Sequence, residues 1–271
     1  MTSFFRTYAE NPGAIQERAD AAVVIPTLLR PSLVRALQSV FAQNFSGRIQ
    51  ILIGVDRPDH DFAILDQACA ERPVNCLVQA IYPGYSTAAR NGGLAPADDG
   101  GVLRCVLTYL ANSRHVAYLD DDNWWDAQHL QTMLRTLSGA AWAFSLRWFV
   151  HPESGRAAGI DDWESVGPGR GIFAARFGGF VDPSCLMIDK TACPEVVPAW
   201  NFPLLPGSPG TADRHVFLLL NKGYPGVGTG AATVFYRMNP ADPLHQERIR
   251  RLGAAYEEAG RVCHGTGADS T

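Results

Sequence analysis

Asp120, Asp121 and Asp122 end the apolar run His115-Val-Ala-Tyr-Leu119 and stand directly before Asn123, Trp124 and Trp125. Aspartate is a poor strand former, and adjacent negative charges repel one another unless a cation or a ligand offsets them. A hard divalent cation such as Mg²⁺ or Mn²⁺ takes one or two carboxylates and fills its shell with substrate phosphate oxygens. Carboxylates at the end of a strand therefore suit nucleotide chemistry. A solvated acidic turn leading into a helix near Asp126 is the simpler account of the same residues. Asp56 closes the apolar run 49–55, where it could also cap the turn before Pro58. Asp213 stands at the start of a helical pattern over 211–223, where any acid favours the helix dipole.

The elements around these residues alternate. Residues 21–25 form a short buried-type run stopped by Pro26, and Leu33, Val34, Leu37, Val40 and Phe41 then share one helical face, with Ser32 as the expected N-cap. Strand patterns at 49–55, 75–81 and 115–119 are separated by helical patterns at 62–70, 86–94 and 102–110. This order predicts a mixed, mostly parallel sheet covered by helices, with its ligand crevice along the C-terminal edge where Pro26, Asp56 and Asp120 fall. Residues 1–20 read as a polar lead-in. The second half has a helix at 126–137, strands at 141–150, 184–189 and 231–236, and a polar terminal helix at 244–260. Its Gly-rich stretch, 155–179, is too long for a routine connection. The run Gly226-Val-Gly-Thr-Gly230 reads as a turn.

The 271 residues are 46% hydrophobic and 18% charged, with a net charge of −4, so no basic field exists to attract nucleic acid or an anionic membrane. An anionic ligand must be held locally. The six cysteines lack metal-ligand spacing, no charged-then-apolar leader is present, and no apolar run approaches the roughly 18 residues of a membrane span. The expectation is a cytoplasmic protein with at most peripheral membrane contact.

In order and spacing, Val23-Val-Ile-Pro-Thr27, residues 51–56, Ala89-Arg-Asn91, residues 119–125 and residues 211–223 resemble the landmarks of family 2 glycosyltransferases of the GT-A fold. The resemblance covers roughly 21–237. It implies one GT-A domain over 1–271, with a nucleotide-sugar half (21–122), an acceptor half (123–237) and a C-terminal helical tail (238–271). It also implies roles. Pro26, Thr27 and Leu28 would touch the nucleotide through their backbone, and Asp56 would accept from a pyrimidine N3–H, favouring a UDP-sugar donor. Arg90 would approach the base or diphosphate, Asp120 and Asp121 the ribose or metal-bound water, and Asp122 would ligate Mn²⁺ or Mg²⁺, with His245 completing the metal shell. Asp213 would be the base of an inverting transfer to a carbohydrate, lipid-linked or small-molecule acceptor. Trp124, Trp125 and His215 would contact that acceptor, although the tryptophans serve as readily in a core, and a lone histidine beside a polar helix, as His245 is, is more often exposed than a ligand.

Two features depart from the family pattern. Ala212-Asp213-Arg214-His215 lacks the family's neighbouring acids, which affects acceptor recognition, and residues 95–114 add a helical segment before the carboxylate strand. A Gly-rich phosphate loop after the first strand is missing, which argues against a nucleotidyltransferase, as the absence there of G-x-G-x-x-G does against an NAD oxidoreductase. A non-catalytic sugar-nucleotide-binding protein and a retaining GT-A enzyme remain as alternatives.

Overall fold

A computed structural model describes residues 3–261 except 11, 99 and 206. The first half comprises β1 (Phe4–Tyr8), β2 (Ala21–Thr27), α1 (Ser32–Phe41), β3 (Ile49–Val55), α2 (Ala63–Cys69), β4 (Cys76–Tyr82), α3 (Gly101–Leu110) and β5 (His115–Tyr118). The second comprises β6 (Trp124–Trp125), α4 (His129–Leu137), β7 (Trp142–Val150), β8 (Ala157–Ile160), β9 (Gly167–Pro168), α5 (Ala174–Phe177) and β10 (Gly179–Phe180). It continues with β11 (Leu186–Asp189), α6 (Ala212–Gly223), β12 (Gly226–Arg237), α7 (His245–Leu252) and α8 (Ala254–Gly260).

The main sheet is mixed and runs β1-β4-β3-β2-β5-β11-β7-β12-β6, with β8 added to β7. The strands β4, β3, β2 and β5 pair in parallel, whereas β11 is antiparallel to both β5 and β7. Every residue of β3 is buried, as expected of a strand covered on both faces. In α1 the sequence periodicity becomes a buried stripe of Leu33, Ala36, Leu37 and Val40.

Several expectations are corrected. The polar lead-in contains β1, an edge strand antiparallel to β4, whose Phe4 packs edge-on against Phe62 with ring centroids 4.7 Å apart. Ser32 is the first helical residue of α1, and Pro31 occupies the cap without a side-chain hydrogen bond. Residues 86–94 form only a short 3-10 turn, Ala89–Asn91. The glycine run 226–230 belongs to β12. A Cβ at Gly226 would lie 2.0 Å from the Trp142 ring and one at Gly228 2.8 Å from the Phe144 ring, so these glycines let the rings of β7 lie across the neighbouring strand. The terminal helix is two, broken at Gly253 with φ +52°. The stretch 155–179 is folded, with β8 on β7 and β9 paired to β10. Cys69, Cys76, Cys105, Cys185 and Cys193 are free thiols, and Cys263 lies outside the described residues. No helix among the described residues is long and apolar enough to cross a membrane.

Candidate active site

The C-terminal ends of β2, β3 and β5 open onto a cavity of about 380 Å³. Eight residues expected to face a nucleotide or metal lie on its wall: Pro26, Thr27, Leu28, Asp56, Asp120, Asp121 and Asp122 at these strand ends, and Arg90 from the turn after β4. The loop after β2 is held in a costly conformation. Leu29 has φ +61°, left-handed backbone that costs a side-chain-bearing residue about 1–2 kcal/mol. Its fully buried side chain fixes it there, and its N–H donates to the Thr27 hydroxyl at 2.8 Å.

The three aspartates have separate surroundings. Asp121 is 1% exposed; it accepts from the Thr27 hydroxyl at 2.6 Å and pairs with Arg30. Asp120 pairs with Arg104, and its N–H donates to the Ser184 hydroxyl at 3.2 Å. Asp122 keeps 37% of its side-chain surface and faces Arg30 at 3.4 Å. Burial, then the charge of Asp120, push its carboxyl up to about 7, with Arg30 opposing. Arg30 and Arg104 belong to the site but escaped the sequence reading, since their partners are 91 and 16 residues away in the chain. The added segment 95–114 contains α3, which is what delivers Arg104.

Asp56 holds the loop after β4 in place: it accepts from the Ser86 hydroxyl at 2.5 Å and from the Thr87 N–H and hydroxyl at 2.6 Å each. A carboxylate offers about four acceptor positions, so one remains. Arg90 meets Asp98 at 3.5 Å.

A second cavity, of about 670 Å³, lies beyond Asp120 and Arg104, which line both. Asp213 and Arg214 enter it from the first turn of α6. Asp213 is half-buried and accepts from the Arg214 N–H at 2.7 Å. Burial is the main cause that pushes its carboxyl up to about 6; Arg214 opposes and Asp182 adds to the rise. Another part of its wall is a buried ion network that the sequence did not reveal. Arg147, 2% exposed, donates to Asp161 at 2.8 Å, Asp182 at 2.6 Å and Glu164 at 2.9 Å. Arg248 of α7 donates to Glu164 at 2.7 and 2.8 Å, which ties the C-terminal segment to this wall.

Four expected contacts sit elsewhere. Trp125 is buried, donates its indole N–H to the Ser184 carbonyl at 3.0 Å and stacks on His129. Trp124 stacks on Phe235 and lies under the Arg35 guanidinium. Neither indole lines the cavity of Asp213. His215 is half-buried with Nδ1 at 3.0 Å from the Phe202 carbonyl, off that cavity. His245 also lies apart from the aspartates' cavities. It is 6% exposed, packs edge-on to Tyr256, and lines neither cavity to which Asp122 contributes. Burial and Arg248 hold its imidazole below the usual range.

Among the described residues no three His, Cys, Asp or Glu side chains converge as a metal cage. Mg²⁺ or Mn²⁺ does not require one where substrate phosphates supply the remaining oxygens. Asp122 fits that arrangement. Its carboxylate is accessible from the cavity, and a nearby cation would offset the charges that disfavour its ionisation.

No protein-family model matches the sequence, and no curated protein does. Solved structures do. Staphylococcus aureus TarS 1–349 in complex with UDP aligns at a TM-score of 0.57 and 13% identity, covering 86% of this chain and 64% of that one. Its complex with UDP-GlcNAc aligns at 0.56 and 13%, covering 87% and 66%. The mannosyltransferase PcManGT from Pyrobaculum calidifontis, in complex with GDP-Man and Mn²⁺, aligns at 0.56 and 13%, covering 87% and 61%. The chain thus spans less than two thirds of each of these chains. It has the α/β fold of these glycosyltransferase structures.

Proposed function

We propose that the chain is a metal-dependent, inverting glycosyltransferase that moves a sugar from a nucleoside-diphosphate sugar to a hydroxyl of a carbohydrate, lipid-linked or small-molecule acceptor in the cytoplasm. The observation that carries this reading is the wall formed by Asp120 and Arg104, which separates a cavity built from the ends of β2, β3 and β5 from one containing Asp213. Two reactants can occupy the two cavities and meet at that wall. The solved complexes of TarS with UDP and of PcManGT with GDP-Man and Mn²⁺ support a nucleotide sugar as donor. UDP is favoured because Asp56 retains an acceptor position for a uracil N3–H.

The backbone of Pro26, Thr27 and Leu28 and the carboxylate of Asp56 bind and orient the nucleotide. Asp122 holds the cation, which when bound neutralises the charge gathering on the departing diphosphate. Arg30 and Arg104 add fixed positive charge on the same side. Asp213 takes the proton from the acceptor hydroxyl as its oxygen forms the new glycosidic bond and the bond to the diphosphate breaks. An aspartate whose carboxyl titrates near 6 is ionised at neutral pH yet more basic than an ordinary one.

The test is calorimetric titration with UDP, GDP and dTDP, each with and without Mn²⁺, followed by assay of hydrolysis or transfer from the matching sugar nucleotides. Metal-dependent binding of one nucleotide together with turnover is expected. Binding without turnover would leave a non-catalytic binding protein, and no binding of any nucleotide would remove the donor cavity from the account.

A further inference from the structure

On the other side of Asp122 lies a third cavity, of about 210 Å³, enclosed by the start of α1, β6, the turn 152–155 and the end of β12. Its two cations are Arg35 and Arg237, and among the described residues neither is within ion-pair distance of a carboxylate. Each is instead fixed from behind by a neutral group. The Arg35 guanidinium lies 3.2 Å from the centroid of the Trp124 ring. Arg237 donates from Nε at 2.9 Å and from Nη2 at 2.5 Å to one carbonyl, that of Pro152. Partial burial, and then the charge of Arg237, hold the solvent-exposed Arg35 below its usual value, so the two cations, both exposed, work against each other. Ser32, in the first turn of α1, also lines the cavity, and that turn carries neither an acidic residue nor a side-chain cap. The acids on the wall do not neutralise the pair: Asp122 faces Arg30, and Glu153 is exposed without an ion pair to either arginine.

The geometry points to a phosphoryl subsite: Arg35, Arg237 and the Ser32 hydroxyl bind one phosphate-type oxyanion beside Asp122. Two preoriented guanidiniums match the oxygens of such a group and gain most when no protein carboxylate competes. The volume holds a phosphate and some water but no nucleotide. The oxyanion has two possible sources, the diphosphate of a nucleotide in the neighbouring cavity or a separate phosphate, as on a phosphorylated acceptor. Its place in the reaction rests on the glycosyltransferase reading, but its existence does not.

The test is calorimetric titration of the full chain with inorganic phosphate, in the absence of nucleotide, for wild type, Arg35→Gln and Arg237→Gln. Each variant is first checked for an unchanged thermal midpoint. Single-site binding in the wild type, weakened about tenfold or more by either substitution, is expected. Repeating the titration with saturating UDP and Mn²⁺ distinguishes the sources. Displacement of phosphate assigns the subsite to the diphosphate, and simultaneous binding assigns it to a separate phosphoryl group. No measurable phosphate binding, or binding indifferent to both substitutions, would overturn the proposal. If phosphate binds but no nucleotide does, the subsite stands and the donor reading fails.

Discussion

The two cavities are built on different physical principles. The smaller rests on β2, β3 and β5, whose apolar interiors are packed among covering helices and whose ends present Pro26, Asp56 and Asp120 by position alone. The larger is walled by charges taken out of water, with Arg147 serving Asp161, Glu164 and Asp182 and Arg248 sharing Glu164. Hydrophobic burial is non-directional and tolerates adjustment at the strand ends, whereas a buried ion network fixes its members in one arrangement and fails sharply when a member is lost. The cavity at the strand ends is therefore a regular scaffold with a few polar groups at its edge, and the cavity of Asp213 is a locked polar structure.

This contrast predicts different responses to substitution. The largest is expected at Asp213→Asn, which should lower transfer about 10²–10⁴-fold while leaving nucleotide affinity intact, as read by a transfer assay beside calorimetry. Loss of nucleotide binding instead would mean that the two cavities are not separate in function. Arg147→Met should destabilise the fold by about 3–5 kcal/mol in urea unfolding, because Asp161 and Asp182 lose the cation that offsets the cost of burying them. A change below about 1 kcal/mol would show that the network does not hold the wall. Asp122→Ala, on the regular side, should leave the urea midpoint nearly unchanged but weaken Mn²⁺-dependent UDP binding about tenfold or more.

A smaller effect separates the two sides by pH. On the proposed role of Asp213 as base, and with Mn²⁺ saturating so that Asp122 is ionised, log kcat/KM should rise about one unit per pH unit below about 6 and level off above it. The Asn variant should lose that limb, and a wild-type profile flat from pH 5 to 7 would remove Asp213 as the base. Smallest is Trp125→Phe, which deletes the hydrogen bond to the Ser184 carbonyl and should cost about 1 kcal/mol of stability with acceptor KM unchanged. A raised acceptor KM would return the indole to the acceptor cleft.

The same division explains what the sequence disclosed. Runs such as 49–55 announce a strand wherever they occur, and the residue after such a strand falls at the sheet edge, so Asp56 and Asp120–Asp122 could be placed without coordinates. β1 was missed because an edge strand needs little burial and its Arg6 and Thr7 read as polar chain. The glycines of β12 looked like a turn because the reason for them, the rings of Trp142 and Phe144, lies on another strand. Arg147 sits inside an aromatic run that discloses a strand, but nothing local tells that its charge meets Asp182, 35 residues on. His245 and the two tryptophans had residue types suited to a site, and the packing of Tyr256, His129 and Phe235 decided their places.

Because Arg104 and Asp120 face both cavities, occupancy of one alters the field in the other. Binding free energies are state functions, so any factor by which a donor tightens acceptor binding is the factor by which the acceptor tightens retention of the donor. Cooperativity between ligands of the two cavities then needs no moving domain: one shared ion pair couples them, by the same factor whichever binds first.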